Sequence, residues 1–380
     1  HYDTVEMPFL KVLHHLLERG LELNLCDLDE KFPELELERN HLVEDLRDQG
    51  IDTPDRESVI EYLEHSYGGI DGENLVSLYL YKNLKVIADK HLTFSKLYQL
   101  EKIERAAGIL KSFKTYSGYV IPHYQILGTD TGRCTARDPN ILNLPKDYRP
   151  LIRARNGCGI VECDYKQMEI GVLGALAGDE KLIRDYNTGD VYQSFADSLS
   201  LSRDTAKVLF LAIIYGMSPS SLSKSLNCDI EKANALINGF FTRYSKVKTY
   251  QDEVVQSGFG NGYVSTVTGL KRQLNLQVNL TPKIEQWQRN WLKNFPVQAN
   301  AAIIFKQAII SLSETLPDKG FKLLVPHYDA IVFQAPLSKL ELYTSVVEST
   351  MISSMKKLFP ILEPKVSINN HDVSCWNKGD

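Results

Sequence analysis

Two aspartates stand where short apolar segments of the chain reverse direction. Asp164 ends the segment IVECD, residues 160–164. Asp329 lies within LLVPHYDAIVF, residues 323–333, which is apolar on both sides of its HYD centre. The second segment therefore predicts a β-hairpin with a carboxylate at its tip. A charge at such a position is paired, solvated or bound to a metal.

The chemistry open to these two carboxylates depends on whether the fold brings them together. Side by side, they could hold a pair of divalent cations, which stabilise the attacking and leaving oxygens in phosphoryl transfer. Aspartate is also a favoured turn residue, so each could simply end a chain reversal. The two segments alone leave both interpretations open.

The composition is that of a globular protein of 380 residues, one elaborated domain or two or three subdomains. The longest apolar run, residues 208–215, is too short to span a bilayer, and no secretory signal opens the chain. We therefore expect a cytosolic protein without a membrane partner. Six cysteines without a C-x-x-C pair argue against a zinc ribbon and a disulfide scaffold. The first residue is His, which is compatible with a longer natural polypeptide that has an upstream domain.

The net charge of −5 is unevenly distributed along the chain. Residues 22–64 contain 15 acidic and 4 basic residues, a net charge of −11, which leaves +6 for the rest. Residues 81–116 could neutralise phosphates, because bases outnumber acids there. The alternative is a solvated helix face. The bases in this stretch are Lys82, Lys85, Lys90, Lys96, Lys102, Arg105, Lys111 and Lys114.

Hydrophobic periodicity predicts helices early in the chain and strands from Gly159 onward. Helical patterns cover residues 6–19 (closed by Gly20), 57–64, 97–113, 167–177, 203–217, 231–256 and 284–313. Asn261-Gly262 is a hairpin-turn signal, so we expect a β-ribbon after the helix that ends near residue 256.

Five ordered sequence blocks resemble the motifs of the family A (DNA polymerase I-like) DNA polymerases. Motifs A, B and C correspond to DYKQMEIGVLGALAGD (164–179), RDTAKVLFLAIIYG (203–216) and, with changes, HYDAIVF (327–333). TGRCTARDPNILNLP (131–145) resembles the block before motif A, and NFPVQANAA (294–302) the helix before motif C. VEMPFLKVLHHLLERG (5–20) and SCWN (374–377) resemble the two ends of the polymerase domain, so the similarity covers nearly all of the chain.

The resemblance implies an α+β right-hand polymerase fold with an antiparallel palm sheet, helical fingers and a helical thumb. The implied boundaries are the start of the palm at 1–20, the thumb at 21–118, the palm with motif A at 119–182, the fingers with motif B at 183–258 and the palm with motif C at 259–380. Within this fold, the palm sheet would carry Asp164 and Asp329.

The resemblance also implies a template-directed DNA polymerase that adds deoxynucleotides to a primer 3′-hydroxyl by two-metal-ion phosphoryl transfer. Asp164 and Asp329 would be the catalytic residues and, with the backbone carbonyl of Tyr165, the metal ligands. Hard oxygen ligands suit Mg²⁺, so we expect two Mg²⁺ ions, with Mn²⁺ able to substitute. The partners would be primer–template DNA and deoxynucleoside triphosphates. We expect a monomer associated with the nucleoid or a replicon, without a proofreading exonuclease in this chain.

For the nucleotide, the resemblance points mainly to motif B. Residues four apart share one face of a helix, so Arg203 and Lys207 would meet the triphosphate, and Leu211 and Tyr215 the base. Without the other motifs, apolar and aromatic residues at this spacing are more often core positions. Glu169 would occupy the space of a ribose 2′-hydroxyl and pair with Tyr215, which favours deoxynucleotides. Gln167 and Tyr192 complete the expected nucleotide-binding set.

For the DNA strands, the resemblance points to residues that touch the minor groove or the backbone. Minor-groove acceptors occur in every base pair, so such contacts can test pair geometry without selecting a sequence. A turn after Pro139 is the alternative role for Asn140. The expected DNA-binding residues are Arg133, Asn140, Asn143, Arg272, Gln298, Lys111 and Lys114.

The chain departs from the family pattern at several positions of the expected site. In motif C, where the family has His-Asp-Glu, it has Tyr328-Asp329-Ala330, so the second carboxylate is missing. Leu211 replaces an aromatic residue, Tyr192 a histidine and Gly171 an arginine. These changes indicate a divergent branch, for instance viral or plasmid-borne, and an organellar origin also stays open.

The departures keep two other functions under consideration. A catalytically weakened DNA-binding or scaffold subunit would explain Ala330, although Asp164 and Asp329 are retained. A single-subunit RNA polymerase shares the hand-like fold, but Glu169 is the wrong residue for accepting ribonucleotides.

Overall fold

The computed structural model describes residues 1–17, 20–51, 58, 59, 62, 92–226, 228–274, 282–316 and 320–377. The predicted helix at 57–64 and the bases Lys82, Lys85 and Lys90 therefore lie largely or wholly outside the described residues.

The described elements are mostly helices, with short strands grouped between them. The helices are α1 (Met7–Leu17), α2 (Leu25–Asp48), α3 (Leu92–Phe113), α4 (Met168–Ala177), α5 (Glu180–Thr188), α6 (Val191–Leu199), α7 (Arg203–Ile214), α8 (Pro219–Leu226), α9 (Ile230–Arg243), α10 (Ser245–Asn261), α11 (Pro282–Thr315) and α12 (Leu340–Leu358). The strands are β1 (Leu21–Leu23), β2 (Tyr119–Val120), β3 (His123–Gln125), β4 (Thr135–Arg137), β5 (Ile152–Arg153), β6 (Cys158–Tyr165), β7 (Tyr263–Ser265), β8 (Lys271–Gln273), β9 (Lys322–His327), β10 (Ala330–Pro336) and β11 (Val366–Asn369).

These elements form two compact units. The first unit comprises His1–Leu21, Ile121–Arg137 and Ala154–Asp380, and the second comprises Glu22–Val120 and Asp138–Arg153. Both Asp164 and Asp329 belong to the first unit.

A four-stranded antiparallel sheet in the order β11-β6-β10-β9 forms the centre of the first unit. Strands β9 and β10 are joined by the two residues Tyr328 and Asp329, so the predicted hairpin is confirmed. Tyr328 has a φ of +60°, a left-handed conformation that lets the chain reverse within this short turn. The register aligns Asp164 with Ala330 on one side and with Ser367 on the other.

Helices α11 and α12 pack against each other, and α12 also contacts strands β6 and β10. Among the described residues, one segment, Glu285–Thr315 of α11, is long and apolar enough to cross a membrane by length and composition alone. The qualifying window is 83% buried inside the protein. Its apolar composition is therefore explained by its place in the core.

An aromatic cluster organises helices α6, α7, α9 and α10. The Phe210 ring lies 5.5 Å from that of Phe195 and 5.0 Å from that of Phe240, and the Tyr244 ring lies 5.1 Å from that of Phe240. The predicted single helix at 231–256 is wrong, because the helix is interrupted at Tyr244. The buried Tyr244 ring packs within the cluster while its hydroxyl donates to Asp185 at 2.7 Å, which favours a local break over a straight helix.

The predicted Asn261-Gly262 hairpin turn is also wrong, although a β-ribbon follows. Helix α10 continues to Asn261, and Gly262 ends it with a φ of +74° and a hydrogen bond to the Gly258 carbonyl. This is the usual role of glycine at a helix C-terminus. The ribbon pairs β7 with β8 and turns at residues 266–270.

The second unit places an acidic helix beside a basic one. Helices α2 and α3 pack together, and Lys96 pairs with Asp45 at 2.7 Å and Arg39 with Glu104 at 3.1 Å. Part of the basic surplus of α3 is therefore balanced within this unit. A small three-stranded sheet with the order β2-β1-β5, in which β1 and β5 are antiparallel, completes it.

One buried ion pair joins the start of the chain to α11. The Lys306 ammonium donates to both Glu6 carboxylate oxygens, at 2.8 and 2.7 Å, and to the Ile126 carbonyl at 2.8 Å. Both charged residues are 1% exposed. Burial lowers the pKa of Lys306, and the Glu6 carboxylate opposes that shift.

Because breaking one side of a buried ion pair leaves the other charge uncompensated, we expect Lys306→Met to lower the free energy of unfolding by about 3–5 kcal/mol. The double variant Glu6→Leu/Lys306→Met should regain most of that loss. Urea unfolding measures both effects. The exposed pair Lys246–Glu180 is the matched control, since Lys246→Met should cost no more than about 1 kcal/mol. Equal losses from Lys306→Met and Lys246→Met would contradict the assigned importance of the buried pair.

Candidate active site

Strand β6 delivers Asp164 to a sharp strand-to-helix reversal. Gln167, with a φ of +54°, caps α4 immediately after the strand. The buried Tyr165 anchors the end of β6, because its hydroxyl donates to the Met351 carbonyl in α12 at 2.5 Å. The neighbouring strand contributes Ser367, whose hydroxyl donates to the Asp164 carbonyl at 3.2 Å. Asp164 therefore projects from a rigid support.

The β9–β10 turn brings Asp329 to the same edge of the sheet. The Asp329 carbonyl accepts a hydrogen bond from the Tyr165 backbone N–H at 3.2 Å, which fixes the turn to β6. Asp329 remains accessible to solvent at the tip of the hairpin, yet protein atoms crowd its carboxyl group. This crowding, reinforced by the negative charge of Asp164, raises the pKa of Asp329 to about 7. The charge of Arg133 opposes this shift but does not cancel it.

This donor set fits a hard divalent cation. Carboxylate and carbonyl oxygens are preferred ligands of Mg²⁺, which usually binds one or two carboxylates together with substrate phosphates. Among the described residues, no group of three or more His, Cys, Asp or Glu side chains is placed to hold a metal. At this edge of the sheet the structure places Asp164 and Asp329, and alanine occupies position 330.

Four residues that the sequence analysis assigned to the nucleotide and the DNA form one hydrogen-bonded chain. Arg133 makes an ion pair with Glu169. The Tyr215 hydroxyl donates to the other Glu169 oxygen at 3.5 Å and accepts from the Gln298 amide at 3.0 Å. Burial raises the pKa of Glu169, and Arg133 opposes this shift. The Arg133 guanidinium also lies 6.0 Å from the centre of the Tyr328 ring.

A second group assembles at the start of α7. The Arg203 guanidinium donates to Asp190 at 2.7 Å and lies 5.4 Å from the centre of the Tyr192 ring. The Gln167 amide donates to Asp190 at 2.6 Å, and its carbonyl accepts from the Val191 backbone at 3.1 Å. Burial tends to raise the pKa of Asp190, but the bonds from Arg203 and Gln167 outweigh it, so the pKa is lowered.

The four expected positions of motif B share the solvent side of α7. Arg203, Lys207 and Tyr215 are exposed and Leu211 is half-buried, whereas Ala206, Leu209, Phe210 and Ile213 are buried. The adjacent Phe210, not Leu211, supplies the aromatic core contact, with its ring 5.5 Å from that of Tyr192. The burial pattern is therefore compatible with a ligand-facing side that begins with two cations.

A cavity of about 460 Å³ lies between the end of β6, the start of β11 and the start of α7. Asp164 and Arg203 both line this cavity. Its lining residues are Asp164, Tyr165, Lys166, Gln167, Tyr186, Gly189, Asp190, Arg203, Lys365 and Ser367.

The other residues expected to bind DNA are placed differently. Arg272 donates to the carbonyl oxygens of Asp130 at 2.8 Å and Thr129 at 3.4 Å, so it holds the loop that precedes Arg133. Four others belong to the second unit and are not part of the groups described above. They are Asn140 and Asn143, at a 3₁₀ turn, and Lys111 and Lys114, at the end of α3.

A buried hydrogen bond close to Asp164 on strand β6 was not predicted from the sequence. Glu162, which is 2% exposed, accepts the indole N–H of Trp376 at 2.7 Å. The Trp376 ring lies edge-on to the His327 ring, with 5.6 Å between their centres. A glutamate two residues before Asp164 in an otherwise apolar strand was a detectable signal, but its partner Trp376 was not predictable from spacing.

Two cations near Asp164 were also missed. Lys166 lies within motif A, so its charge was visible in the sequence. Lys365 joins it only through the pairing of β11 with β6.

The Gly171 departure has a packing explanation. A Cβ atom at this position would lie 2.7 Å from Cζ of Tyr186. The Tyr186 ring therefore occupies the space into which a larger residue would point. Because Tyr186 also lines the cavity, this glycine and tyrosine shape the site together.

The chain is similar to known polymerases in both structure and sequence. The polymerase domain of Pol1 from M. smegmatis, solved in complex with DNA primer-template and dNTP, aligns with a TM-score of 0.83 at 20% identity and covers 98% of this chain and 70% of that chain. The DNA polymerase I of Caldicellulosiruptor bescii is 24% identical over 98% of this chain, and a thermostable DNA polymerase I of Thermus thermophilus is 26% identical over 96%. The chain spans about half the length of these two relatives, 47% and 46% respectively.

The structural similarity defines the fold as that of a polymerase domain, so the predicted α+β right-hand fold is confirmed. The family model described as DNA polymerase family A matches residues 66–371. The chain belongs to DNA polymerase family A, whose members are metal-dependent.

Gly171→Ala should lower the free energy of unfolding by about 1–3 kcal/mol, because the added methyl group overpacks the contact with Tyr186. Chemical denaturation checks this value. Gly260→Ala is the matched control, since nothing lies within 4 Å of a Cβ at Gly260 in α10. In a Tyr186→Val background, the cost of Gly171→Ala should fall by at least about half. A neutral Gly171→Ala would show that Tyr186 moves aside freely.

Proposed function

We propose that this chain is a template-directed DNA polymerase that extends a primer 3′-hydroxyl with deoxynucleoside triphosphates. The observation that carries the proposal is the meeting of Asp164 and Asp329 at one edge of the sheet, where Asp164 shares a cavity with Arg203. Two carboxylates at one edge of the sheet, one of which shares a cavity with a cation, match the needs of phosphoryl transfer to a nucleotide.

The carboxylates of Asp164 and Asp329 and the carbonyl of Tyr165 would hold two Mg²⁺ ions, with Mn²⁺ as a substitute. When bound, the metals supply positive charge to the reacting oxygens. Arg203 and Lys207 would bind the outer phosphates from α7. Arg203 is positioned for this by the Tyr192 ring and by Asp190.

In the proposed step, the primer 3′-oxygen forms a bond to the α-phosphorus of the nucleotide. The bond from the α-phosphorus to the bridging oxygen breaks, and pyrophosphate leaves with that electron pair. The hydroxyl proton passes to solvent. Positioning and charge neutralisation by protein groups are the main contributions that this chemistry requires.

Sugar selection would come from Glu169. Its carboxylate is held from two sides, by Arg133 and by Tyr215, and Gln298 holds Tyr215 in turn. A side chain that is restrained in this way can exclude a 2′-hydroxyl, because it cannot easily swing aside. Leu211 would lie against the base without offering an aromatic face for stacking.

The remaining assignments extend the same proposal to DNA. Arg133 and Gln298 would contact the minor groove near the primer end, and Arg272 would act by holding the loop before Arg133. Asn140, Asn143, Lys111 and Lys114 would contact the strands from the second unit. We assign the thumb to 21–118, the fingers to 183–258 and the palm to the rest, in a monomer associated with the replicon that it copies.

A catalytically weakened DNA-binding subunit is the second candidate, and Ala330 favours it. Ala330 lies opposite Asp164, so a carboxylate at this position would belong to the site. Primer extension separates the two candidates directly, because a scaffold subunit binds primer–template without extending it.

Asp164→Asn and Asp329→Asn should each reduce Mg²⁺-dependent primer extension by more than about 100-fold, since even the outer-shell partners of metal ligands contribute about 10–100-fold. Primer–template affinity should stay within about threefold, because neither residue is assigned to the DNA. Gel-based primer extension and fluorescence anisotropy measure the two quantities. Asp197→Asn, at an exposed position of α6, is the control. Undiminished synthesis by either site variant, or no synthesis by the unmodified chain, would overturn the proposal.

Glu169→Ala should raise ribonucleotide incorporation relative to deoxynucleotide incorporation by at least about tenfold, which corresponds to about 1.4 kcal/mol of lost discrimination. The physical reason is the space that opens beside the sugar. Single-nucleotide kinetics with each nucleotide type provide the ratio of kcat/KM values. Glu180→Ala, on the exposed side of α5, controls for loss of charge. An unchanged ratio would mean that another residue selects the sugar.

A further inference from the structure

Two lysines extend the strand pairing beyond Asp164. The Lys166 backbone N–H donates to the Lys365 carbonyl at 2.8 Å, directly after the aligned pair Tyr165 and Val366. Because side chains alternate along paired strands, Lys166 and Lys365 share the face that carries Asp164 and Ser367. Both lysines line the cavity that Asp164 and Arg203 also line.

Two like charges in neighbouring positions on paired strands repel each other. In the part of the chain that the structure describes, neither lysine ammonium is ion-paired with a carboxylate. Arg203, by contrast, is already paired with Asp190. The two lysines therefore carry positive charge that, among the described residues, is not compensated by an ion pair with a carboxylate.

A polyanion bound next to Asp164 would match the positive charge of these lysines. Three cations line the cavity (Lys166, Arg203 and Lys365), together with the carboxylates Asp164 and Asp190. Bound metal ions would neutralise the charge of Asp164, and Asp190 already neutralises that of Arg203. The positive charge that remains in the cavity comes from Lys166 and Lys365.

We propose that Lys166 and Lys365 form a second cationic contact for the β- and γ-phosphates of the incoming nucleotide and for the pyrophosphate product. This inference rests on the proposed polymerase function and adds two binding residues to it. The pair provides phosphate contacts in a site where Tyr192 stands in place of the histidine that the resemblance implies. Tyr192 cannot supply a positive charge there, and the two lysines can.

The test is the double variant Lys166→Ser/Lys365→Ser, compared with each single variant. Equilibrium titration of the free chain with inorganic pyrophosphate and Mg²⁺ should show a Kd raised at least about tenfold in the double variant. In primer extension, KM for deoxynucleotides should rise about five- to tenfold while kcat stays within about twofold, which is the pattern of lost ground-state binding. The difference in pyrophosphate affinity should shrink in high salt, because the contacts are exposed.

Lys339→Ser is the matched control. Lys339 is exposed and follows the end of β10 that pairs with Cys158, at the opposite end of the sheet from Asp164. Pyrophosphate affinity and KM in the double variant equal to those of Lys339→Ser would overturn the inference while leaving the polymerase function intact. A raised Kd for primer–template with unchanged pyrophosphate binding would also overturn it, because the lysines would then contact DNA phosphates. Failure of the unmodified chain to extend a primer would instead refute the proposed function itself.

Discussion

The antiparallel pairing of β6 with β10 is the constraint on which the site depends. Its register places Asp164 opposite Ala330, so the residue before Ala330, Asp329, necessarily lies at the same edge of the sheet. The Tyr165–Asp329 backbone hydrogen bond closes that edge. Burial, reinforced by the negative charge of Asp164, raises the pKa of Asp329, and the charge of Arg133 only partly opposes that shift. A rigid backbone thus keeps two carboxylates at one edge of the sheet, and under the proposed function this arrangement would recruit divalent metal ions.

Around this negative centre, several cations are held by acidic partners. Arg133 is paired with Glu169, and Arg203 with Asp190. The Arg203–Asp190 pair is largely solvated, and such pairs contribute only about 0–1 kcal/mol, so an incoming polyanion can replace Asp190 at small cost. The same pairs orient the cations before the substrate arrives, which lowers the entropy that binding must overcome. Under the proposed function, the triphosphate would replace Asp190 as the ion-pair partner of Arg203.

Much of this organisation could be predicted from the sequence, and the exceptions have physical causes. The hairpin at Asp329 was predictable because apolar residues flank a polar centre, and the four-residue spacing of motif B correctly grouped the solvent side of α7. The break at Tyr244 was not predictable, because it depends on the tertiary contact with Asp185. Asn261-Gly262 was assigned to a hairpin because the same dipeptide suits both a turn and a helix C-terminus. Lys365 and Trp376 join the site only through strand pairing and packing with residues about 200 positions earlier.

Two departures from the family pattern differ in what they change. Gly171 affects packing, and Ala330 affects the number of carboxylates near Asp164. At Gly171 the lost side chain is compensated, because the Tyr186 ring occupies its space. At position 330 no described carboxylate completes a three-acid cluster, and Glu162 is instead bound to Trp376 behind the site. Adding a glutamate at position 330 would bring another negative charge next to Asp164, where Asp329 already has a raised pKa. A site that keeps two carboxylates avoids this added repulsion. Under the proposed function, Ala330 would then be the loss of an auxiliary acid, with Asp164 and Asp329 left as the metal ligands.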